Sequence, residues 1–443
     1  MNGPTGDPRA NSPSGPNPTG YGNRKSKYTG RYVVLLDQTE PEQGLETLRS
    51  AAGIATVERV SGADPDDSLE LLARADASVL FDNLGVAVVE TEPDQRHALV
   101  TAAEADSTII AAEPERFVYA SVITEAERTM APFFPAYRSD DEEIARQARA
   151  KAAVFVGPAW DEVNSTWGLQ AIRAGISTLT GHDVKVAVLD TGVDTDHPDL
   201  TGCLEETASF VRGETVDDGN GHGTHCIGTA AGPAEPANAS RYGVAVRARV
   251  LAGKVLSNDG VGTDGQILGG MSWAVSRGAR VISMSLGAEV EPGEPFAQTY
   301  ENVAKRALQL GTVVVAAAGN ESRRPGVVKP VGRPANCPSI LAVAALGQDL
   351  APAYFSCGAI NGEGGEVNIA APGVGVLSAA PGGTYATLAG TSMATPHVAG
   401  ALALFAEAHP DDSADELRER LLSSAHPLPQ PAEDIGAGLL QAP

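Results

Sequence analysis

The chain has 443 residues, 42% hydrophobic and 20% charged, which is the composition of a folded globular protein large enough for more than one domain. Acidic residues outnumber basic ones by 56 to 32, and the net charge of -24 repels nucleic acid and anionic lipid. The longest apolar runs, such as 313–318, are far shorter than the roughly 20 residues of a membrane span. We therefore expect no nucleic acid partner and no membrane span.

The cysteine content and the N-terminal composition give two further expectations. Four cysteines are too few and too scattered for a disulfide framework or a zinc site, although one disulfide remains open. Residues 1–30 are rich in Pro, Gly, Asn and Ser and predict a disordered tail. They lack the apolar core of a signal peptide, so the sequence predicts a cytoplasmic location or export by an unrecognised route.

A small domain is predicted over residues 31–120. Its apolar patterning gives, in chain order, a strand at 32–36, a helix at 42–52, a hairpin of 78–81 with 86–89, a helix from Pro93 to 105 and a strand at 117–119. The order β-α-β-β-α-β is that of a ferredoxin-like α+β sandwich. An acidic helical piece at 64–75 interrupts the first half.

Residues 121–164 are predicted to be a linker, which includes a charged helix at 139–153. Beyond it, buried-type strands alternate with helical stretches, one of them around 296–308. The strands are expected at 184–189, 250–255, 281–284 and 313–317. This alternation predicts an α/β domain over residues 165–443, with a parallel sheet and helices on both faces.

Three segments of this domain carry residues of catalytic type. Asp190 ends a buried strand in VLDTG, and parallel strands present catalytic groups at their carboxyl ends. His222 lies between glycines in GHGTH, and Ser392 begins a helix in GTSMATPHVAG. Taken singly, these residues are better explained as a turn former, a structural histidine and a helix cap. Their combination favours catalysis.

The three segments together resemble the signatures of the subtilisin-like serine proteases, in that family's order of Asp, His and Ser. The resemblance extends from STWGLQAI to GAGLLQA, which is similar to the closing strand of the family. It implies a serine endopeptidase that forms an acyl-enzyme on Ser392. His222 would exchange protons with the serine and the leaving amine, while Asp190 would fix the histidine tautomer and stabilise the imidazolium.

The resemblance also implies how a substrate is held. Asn320, in AAAGNES, would donate its amide to the oxyanion together with the backbone N–H of Ser392. The expected substrate is a protein or peptide in extended conformation, paired with two strand edges. Those edges consist of Gly260, Val261, Gly262, Ser285, Leu286 and Gly287. Glu321 would lie at the rim of the pocket for the residue before the scissile bond, unless it is an ordinary solvated glutamate.

Metal and cofactor use also follow from the resemblance. The chemistry would need no cofactor, while a structural calcium ion stays open: Asp199 matches a calcium ligand of the family, but the loop GPAEPANASRYG lacks the usual pattern. No metal ligands are therefore assigned. His225, His197 and His397 would be scaffolding, and Pro334 resembles a position that often has a cis peptide bond. Cys226 would lie beneath His222, which predicts sensitivity to mercurials.

The first domain resembles the inhibitory propeptide of the family, so the chain would be a zymogen that holds its own propeptide domain in cis. A permanent accessory domain is the alternative. Self-processing is expected to create a new N-terminus between Ala120 and Ser165. Two other functions remain open, namely a dedicated maturation protease for one partner protein and a catalytically silent binding module.

Overall fold

The computed structural model describes residues 27–61, 71, 78–121, 123, 158–362 and 364–443. Two seven-stranded sheets organise the fold, one built mainly by the N-terminal domain and one, wholly parallel, by the rest of the chain. The N-terminal residues 1–26, the acidic piece at 64–75 except Leu71, and the helix expected at 139–153 lie outside the described residues.

The N-terminal domain has the predicted order of elements with one strand added. Its elements are β1 (Tyr28–Leu36), α1 (Pro41–Ala52), β2 (Glu58–Val60), β3 (Val79–Phe81), β4 (Val86–Val89), α2 (Pro93–Ala105) and β5 (Ile109–Ala120). Proline occupies the first turn of both helices, where its missing N–H costs no hydrogen bond. Strand β2, which the sequence analysis missed, pairs in parallel with β3.

Two boundaries in this domain differ from the prediction because strand pairing outweighs local composition. Strand β1 begins at Tyr28, inside the segment predicted to be disordered, because Tyr28 pairs with Arg116. Strand β5 runs through Pro114 instead of beginning after it, and Pro114 pairs with Tyr32. Helices α1 and α2 cover one face of this sheet through a separate small apolar core that includes Leu45, Leu48 and Leu99.

The second domain is built on a parallel sheet with helices on both faces, as predicted. The strands β6 (Lys185–Asp190), β7 (Leu204–Ser209), β8 (Arg249–Lys254), β10 (Val281–Met284), β12 (Val313–Ala317), β13 (Leu341–Leu346) and β14 (Ile369–Pro372) form it. Their spatial order is β14-β13-β12-β10-β6-β8-β7. The expected strands β6, β8, β10 and β12 are all present, and their side chains are almost fully buried, which explains their continuous apolar runs.

The remaining elements surround this sheet. They are α3 (Trp167–Ala171), α4 (His222–Ala231), β9 (Val261–Thr263), α5 (Asp264–Ser276), β11 (Leu286–Gly287), α6 (Gln298–Gln309), β15 (Val376–Ala380), β16 (Thr384–Leu388), α7 (Thr391–Ala408), α8 (Ala414–Ser424) and α9 (Ala432–Ile435). Helix α7 is buried along nearly its whole length. The segment resembling a closing strand makes only isolated bridges, from Leu439 to Ala370 and His426.

The domain begins earlier than residue 165. The indole N–H of Trp160 donates to the carbonyl oxygen of Gln348 at 2.9 Å, and its ring packs on Trp167 with centroids 6.0 Å apart. Residues 158–164 therefore belong to this domain and not to the linker. Most of the predicted linker lies outside the described residues.

Three further results concern the cysteines, the helices and one proline. The disulfide left open by the sequence is not formed, since all four cysteines are buried free thiols. Within the described ranges, no helix combines the length and the apolar character that crossing a membrane requires. The Arg333–Pro334 peptide bond is cis, in agreement with the resemblance.

Candidate active site

The Asp190 and His222 side chains meet at the carboxyl edge of the parallel sheet. Asp190 ends β6 and His222 begins α4, and Asp190 Oδ1 lies 2.6 Å from His222 Nδ1. Both side chains are 1% exposed, so the pair is shielded from water. The Thr191 backbone N–H also donates to Asp190 Oδ1, at 2.7 Å, and fixes the carboxylate. An anion accepting from Nδ1–H leaves Nε2 as the proton acceptor of a neutral imidazole.

Two opposing effects act on the pKa of His222. Burial lowers it by disfavouring the charged form, but the negative charge of Asp190, its hydrogen bond and the charge of Asp218 together raise it above its ordinary value. His222 Nε2 is buried and has no hydrogen-bond partner among the described residues. The histidine is thus basic, and its second nitrogen is available for proton transfer.

Ser392 lies in the first turn of α7 and is fully buried. Its Oγ donates to the carbonyl oxygen of Ser285 at 3.0 Å and is not hydrogen-bonded to His222. Ser285 Oγ in turn donates to the carbonyl oxygen of Ser392 at 2.8 Å. The expected contact between serine and histidine is therefore not formed in this conformation, because the hydroxyl is turned towards β11. Catalytic hydrogen bonds are often made only when the reacting complex forms.

The side chain of Asn320 is held rigidly beside the start of α7. Its Oδ1 accepts from the Thr391 backbone N–H and from Thr391 Oγ1, both at 2.9 Å. Its Nδ2 donates to the carbonyl oxygen and to Oγ of Ser121, both at 2.8 Å. An amide fixed from one side and directed at a peptide carbonyl from the other has the geometry of an oxyanion donor.

The substrate edges predicted from the sequence are occupied by the chain itself. Residues 117–121, which we call the tail strand, run between β9 and β11 and pair antiparallel with both. Tyr119 pairs with Val261 and with Gly287, while Val118 pairs with Gly262. The remaining edge contacts are Ala120 with Leu286 and the Ala120 N–H with the carbonyl oxygen of Gly260 at 2.9 Å. Ser285, the remaining predicted edge residue, is hydrogen-bonded to Ser392.

A cavity of about 660 Å³ lies beside Ser121, and we call it the primary pocket. Glu321 is among the residues that line it, and Glu321 Oε2 accepts from the Cys357 thiol at 3.2 Å. Glu289 and Lys329 also line it and form an ion pair at 2.8 Å. Arg323 and Lys329 balance Glu289 and Glu321, and Lys27 and Arg116 from the N-terminal part of the chain add positive charge to the lining, so its charge does not favour a basic residue.

The three histidines expected to be scaffolding lie within hydrogen-bond distance of main-chain carbonyl groups. His225 Nε2 lies 3.0 Å from the Val376 carbonyl oxygen, and burial together with the charge of His222 lowers the pKa of His225 to about 3. His397 Nδ1 lies 2.8 Å from the Met393 carbonyl oxygen, and burial lowers its pKa to about 4. His197 Nε2 lies 2.9 Å from the Thr384 carbonyl oxygen.

Cys226 lies against the Asp190–His222 pair. The Cys226 sulfur and the ligand atoms of Asp190 and His222 all lie within 4.8 Å of one another. Burial, followed by the negative charge of Asp190, raises the pKa of the thiol well above its ordinary value. Cys226 is therefore a protonated thiol and no nucleophile.

The carboxylate of Asp199 does not fit the calcium ligand role suggested by the resemblance. Its Oδ2 accepts from Tyr242 Oη at 2.8 Å and from Tyr385 Oη at 2.9 Å, and its Oδ1 accepts from the Ala237 N–H at 2.9 Å. A hard cation needs oxygen lone pairs, and here three donors already use three of the roughly four acceptor sites that a carboxylate offers. Two tyrosine hydroxyls and one amide thus satisfy this carboxylate.

Two carboxylates of strand β5 join the domains. Glu113 accepts from the Gln298 and Thr299 N–H groups, at 2.8 and 3.3 Å, at the N-terminus of α6. Glu115 is fully buried, accepts from the Gly265 N–H of α5 at 2.9 Å and pairs with Arg31 at 2.7 Å. Both anions are stabilised by free N–H groups and by helix dipoles.

Sequence reasoning missed three functional candidates. Thr391 orients Asn320, and Ser121 occupies the site. Asp218 accepts from Gly221 N–H at 2.8 Å and from Thr224 N–H at 2.8 Å, which fixes the start of α4. Asp218 lies four residues before the first residue of the helix, outside the N-cap position, so the cap rule does not mark it, and nothing near Ser121 in the sequence marks that residue either.

Comparison with known proteins agrees with this geometry. Residues 181–438 match the model of the Subtilase family. The chain is 44% identical over 268 residues to Subtilisin E of Bacillus subtilis, covering 58% of this chain and 66% of the relative. The same identity over 268 residues relates it to Subtilisin of Bacillus pumilus, of which 92% is covered. Alkaline protease of Alkalihalobacillus alcalophilus is 41% identical over 280 residues, with 62% of this chain and 68% of the relative covered.

Proposed function

Because this chain belongs to the subtilase family, we propose that it is a serine endopeptidase that cleaves extended protein segments through an acyl-enzyme on Ser392. The observation that carries the proposal is the Asn320 amide, which donates at 2.8 Å to the peptide carbonyl of Ser121. Asn320 also accepts from Thr391, at the start of the helix that carries the candidate nucleophile Ser392, and the Asp190–His222 pair supplies the candidate base.

The chemistry begins with a rotation of the Ser392 side chain. Its Oγ exchanges the carbonyl oxygen of Ser285 for His222 Nε2, and His222 accepts the hydroxyl proton as Oγ attacks the carbonyl carbon. Asp190 stabilises the imidazolium that forms, and the shielded ion pair strengthens this effect. His222 then protonates the leaving amine, and water releases the acyl group by the reverse sequence.

No cofactor takes part in these steps. A structural calcium ion remains open elsewhere on the acidic chain, since the carboxylate of Asp199 is already satisfied. The tail strand's main-chain pairing with β9 and β11 supports an extended peptide or protein substrate.

The N-terminal domain would act as a propeptide bound in cis. Its β5 carries two carboxylates that cap catalytic-domain helices, and it continues into the tail strand that fills the substrate edges. Because the tail strand is covalently attached, its effective concentration at the substrate edges is very high, and it excludes other substrates by mass action. This continuity favours a propeptide over a permanent accessory domain.

Labelling with a fluorophosphonate tests the activity. We expect an adduct on Ser392 in the wild-type chain once its N-terminal domain is released, and none in the Ser392→Ala variant. Absence of an adduct in released wild-type protein would support the silent binding module instead.

A dedicated maturation protease remains the second candidate. The tail strand is recognised largely through main-chain hydrogen bonds, and once the N-terminal domain is released the pocket keeps two basic and two acidic side chains, Arg323, Lys329, Glu289 and Glu321. Both features favour broad cleavage. Digestion of a random peptide library by the mature enzyme distinguishes the two functions. Scattered cleavage sites support general proteolysis, and one narrow consensus supports maturation of a single partner.

A further inference from the structure

We propose that Lys254 is a positioning residue that connects the catalytic pair to the substrate edge on β9. This inference rests on the proposed peptidase function and adds a residue that none of its steps uses. Lys254 is the last residue of β8, pairs with Asp190 across the sheet and has a fully buried side chain. Burial of an ammonium group destabilises a fold unless the group is paired, so the partners of Lys254 indicate its role.

The first partner of Lys254 is Thr191, which organises the catalytic pair. Lys254 Nζ donates to the carbonyl oxygen of Thr191. The Thr191 N–H donates to Asp190 Oδ1 at 2.7 Å. Thr191 Oγ1 donates to Asp218 Oδ1 at 2.8 Å and accepts at 2.9 Å from the N–H of Gly223, in the first turn of the helix that carries the catalytic histidine. Through Thr191, the lysine therefore holds both members of the pair in place.

The other two partners lie at the segment that leads to the substrate edge. Lys254 Nζ donates to Asn258 Oδ1 at 2.8 Å and forms an ion pair with Glu214 at 3.2 Å. Glu214 Oε2 also accepts from the Asn258 N–H at 2.8 Å, which closes a ring of three contacts. Asn258 belongs to a turn in which the Gly260 N–H donates to the carbonyl oxygen of Ser257 at 2.8 Å. Gly260 is the edge residue whose own carbonyl oxygen accepts from the tail strand.

Asn258 also contacts the loop that precedes the catalytic histidine. Its Oδ1 accepts from the Gly219 N–H at 2.9 Å, and its carbonyl oxygen accepts from Asn220 Nδ2 at 3.0 Å. Gly219 allows this approach because a Cβ on it would lie 2.6 Å from the Asn258 side chain. The next residue along this loop, Gly221, is the N-cap of α4. One asparagine, anchored by Lys254, thus supports both the edge turn and this loop.

This arrangement gives Lys254 two effects that can be measured separately. Through Thr191 it fixes the geometry of proton transfer, where a small displacement of the reacting groups can slow a reaction by about 10². Through Asn258 it fixes the edge that pairs with an extended substrate. Loss of the lysine should therefore lower kcat and raise KM, whereas loss of the asparagine side chain should act chiefly on KM.

Steady-state kinetics on one extended peptide and fluorophosphonate labelling of Ser392 measure the two effects in enzyme released from its N-terminal domain. The fluorophosphonate is too small to pair with the substrate edge, so its rate reports on the catalytic residues alone. Lys254→Met keeps the length of the side chain and removes the ammonium group. We expect labelling to slow by about tenfold or more and KM to rise about tenfold.

Lys185→Met is the matched control for this substitution. Lys185 begins β6, at the opposite end of that strand from Asp190, and forms an ion pair with Glu205 at 2.8 Å. Neither the labelling rate nor KM should change by more than about twofold, because the contacts of Lys185 do not reach the site. A K254M enzyme that matches K185M in both measurements overturns the inference.

Asn258→Ala and Asn258→Asp test the edge contact without altering the lysine. We expect N258A to raise KM about tenfold, because it removes an acceptor of a hydrogen bond from an ammonium group. Its labelling should slow by less than about twofold, since Asp218 and Thr191 still hold the start of α4. N258D restores an acceptor oxygen for Lys254 and should recover most of the loss in KM.

The outcomes separate this inference from the peptidase proposal. Equal KM values in N258A and N258D overturn the inference, and they decide the question even if K254M does not fold. Labelling of K254M at the wild-type rate also overturns it. In each of these cases a wild-type Ser392 that reacts with fluorophosphonate leaves the peptidase proposal standing, whereas an unreactive wild-type Ser392 refutes both.

Discussion

The hydrogen bonds that hold Asn320 predict a graded response to substitution. Asn320→Ala removes the amide that donates to the Ser121 carbonyl oxygen at 2.8 Å. We expect kcat to fall by about 10² to 10³, the loss known for the corresponding donor in a subtilisin, a relative of this chain. KM should change little, because the donor acts chiefly on charge that develops in the transition state.

Thr391→Val gives the intermediate case. It removes the hydroxyl that donates to Asn320 Oδ1 at 2.9 Å but retains the backbone donor at the same distance. One neutral hydrogen bond contributes about 0.5–1.5 kcal/mol, so kcat should fall about two- to thirteenfold. Thr391→Ser retains the hydroxyl and is the matched control, with activity close to that of the wild type.

The Gly319 N–H donates to Thr391 Oγ1 at 3.2 Å, so T391V also leaves a buried donor unpaired. Its free energy of unfolding should fall by about 1–3 kcal/mol. Steady-state kinetics of N320A, T391V and the double variant on one peptide substrate, with urea unfolding of each, check the reasoning. Once Asn320 is absent, the T391V change should have almost no further effect on kcat. A full additional loss in the double variant would refute the positioning role of Thr391.

Three other predictions follow from the site. Asp218→Asn removes a negative charge that raises the pKa of His222. The acidic limb of the pH profile of kcat/KM, where the histidine becomes protonated, should therefore move to lower pH. An unchanged limb or a shift to higher pH contradicts this. Mercuric ion should inactivate the wild type and the matched control Cys337→Ala but not Cys226→Ala, because the Cys226 sulfur adjoins His222. Equal inactivation of all three proteins would indicate another target. Tyr242→Phe removes a hydrogen bond to the Asp199 carboxylate and should lower the free energy of unfolding by about 1.5–3 kcal/mol, measured by urea denaturation. Tyr385→Phe is the matched control and should lower it less, because Tyr385 is less buried. An unchanged free energy of unfolding in Y242F would mean that the carboxylate finds another donor.

The elements that the sequence predicted well are those with strong local signals. Strands β10 and β12 were expected at their observed residues because both faces are buried and every side chain except that of Ser283 is apolar. The hairpin of β3 and β4 was evident from the turn formers between two apolar runs. Strand β7, with the sequence LEETAS, has only two apolar residues and no alternating pattern, and in the sheet it pairs with β8, so composition gave no signal for it.

The candidate site shows the same division. The motifs around Asp190, His222 and Ser392 are local and could be read directly, and so could the two strand edges. The Ser392 rotamer could not be predicted, because it depends on the Ser285 carbonyl oxygen over a hundred residues away. The hydrogen bonds of the Asp199 carboxylate could not be predicted either, because their donors Tyr242 and Tyr385 lie far from it in the sequence.

Strand β5 has a consequence for the timing of activation. A single strand carries the two helix-capping glutamates and ends in the segment whose Ser121 carbonyl oxygen accepts from Asn320. If the N-terminal domain is the propeptide proposed above, hydrolysis of the chain after this strand breaks none of those glutamate contacts or the antiparallel pairing. We then expect the severed domain to stay bound as a competitive inhibitor, and the lag before proteolysis begins to be governed by its dissociation or its destruction by another protease molecule.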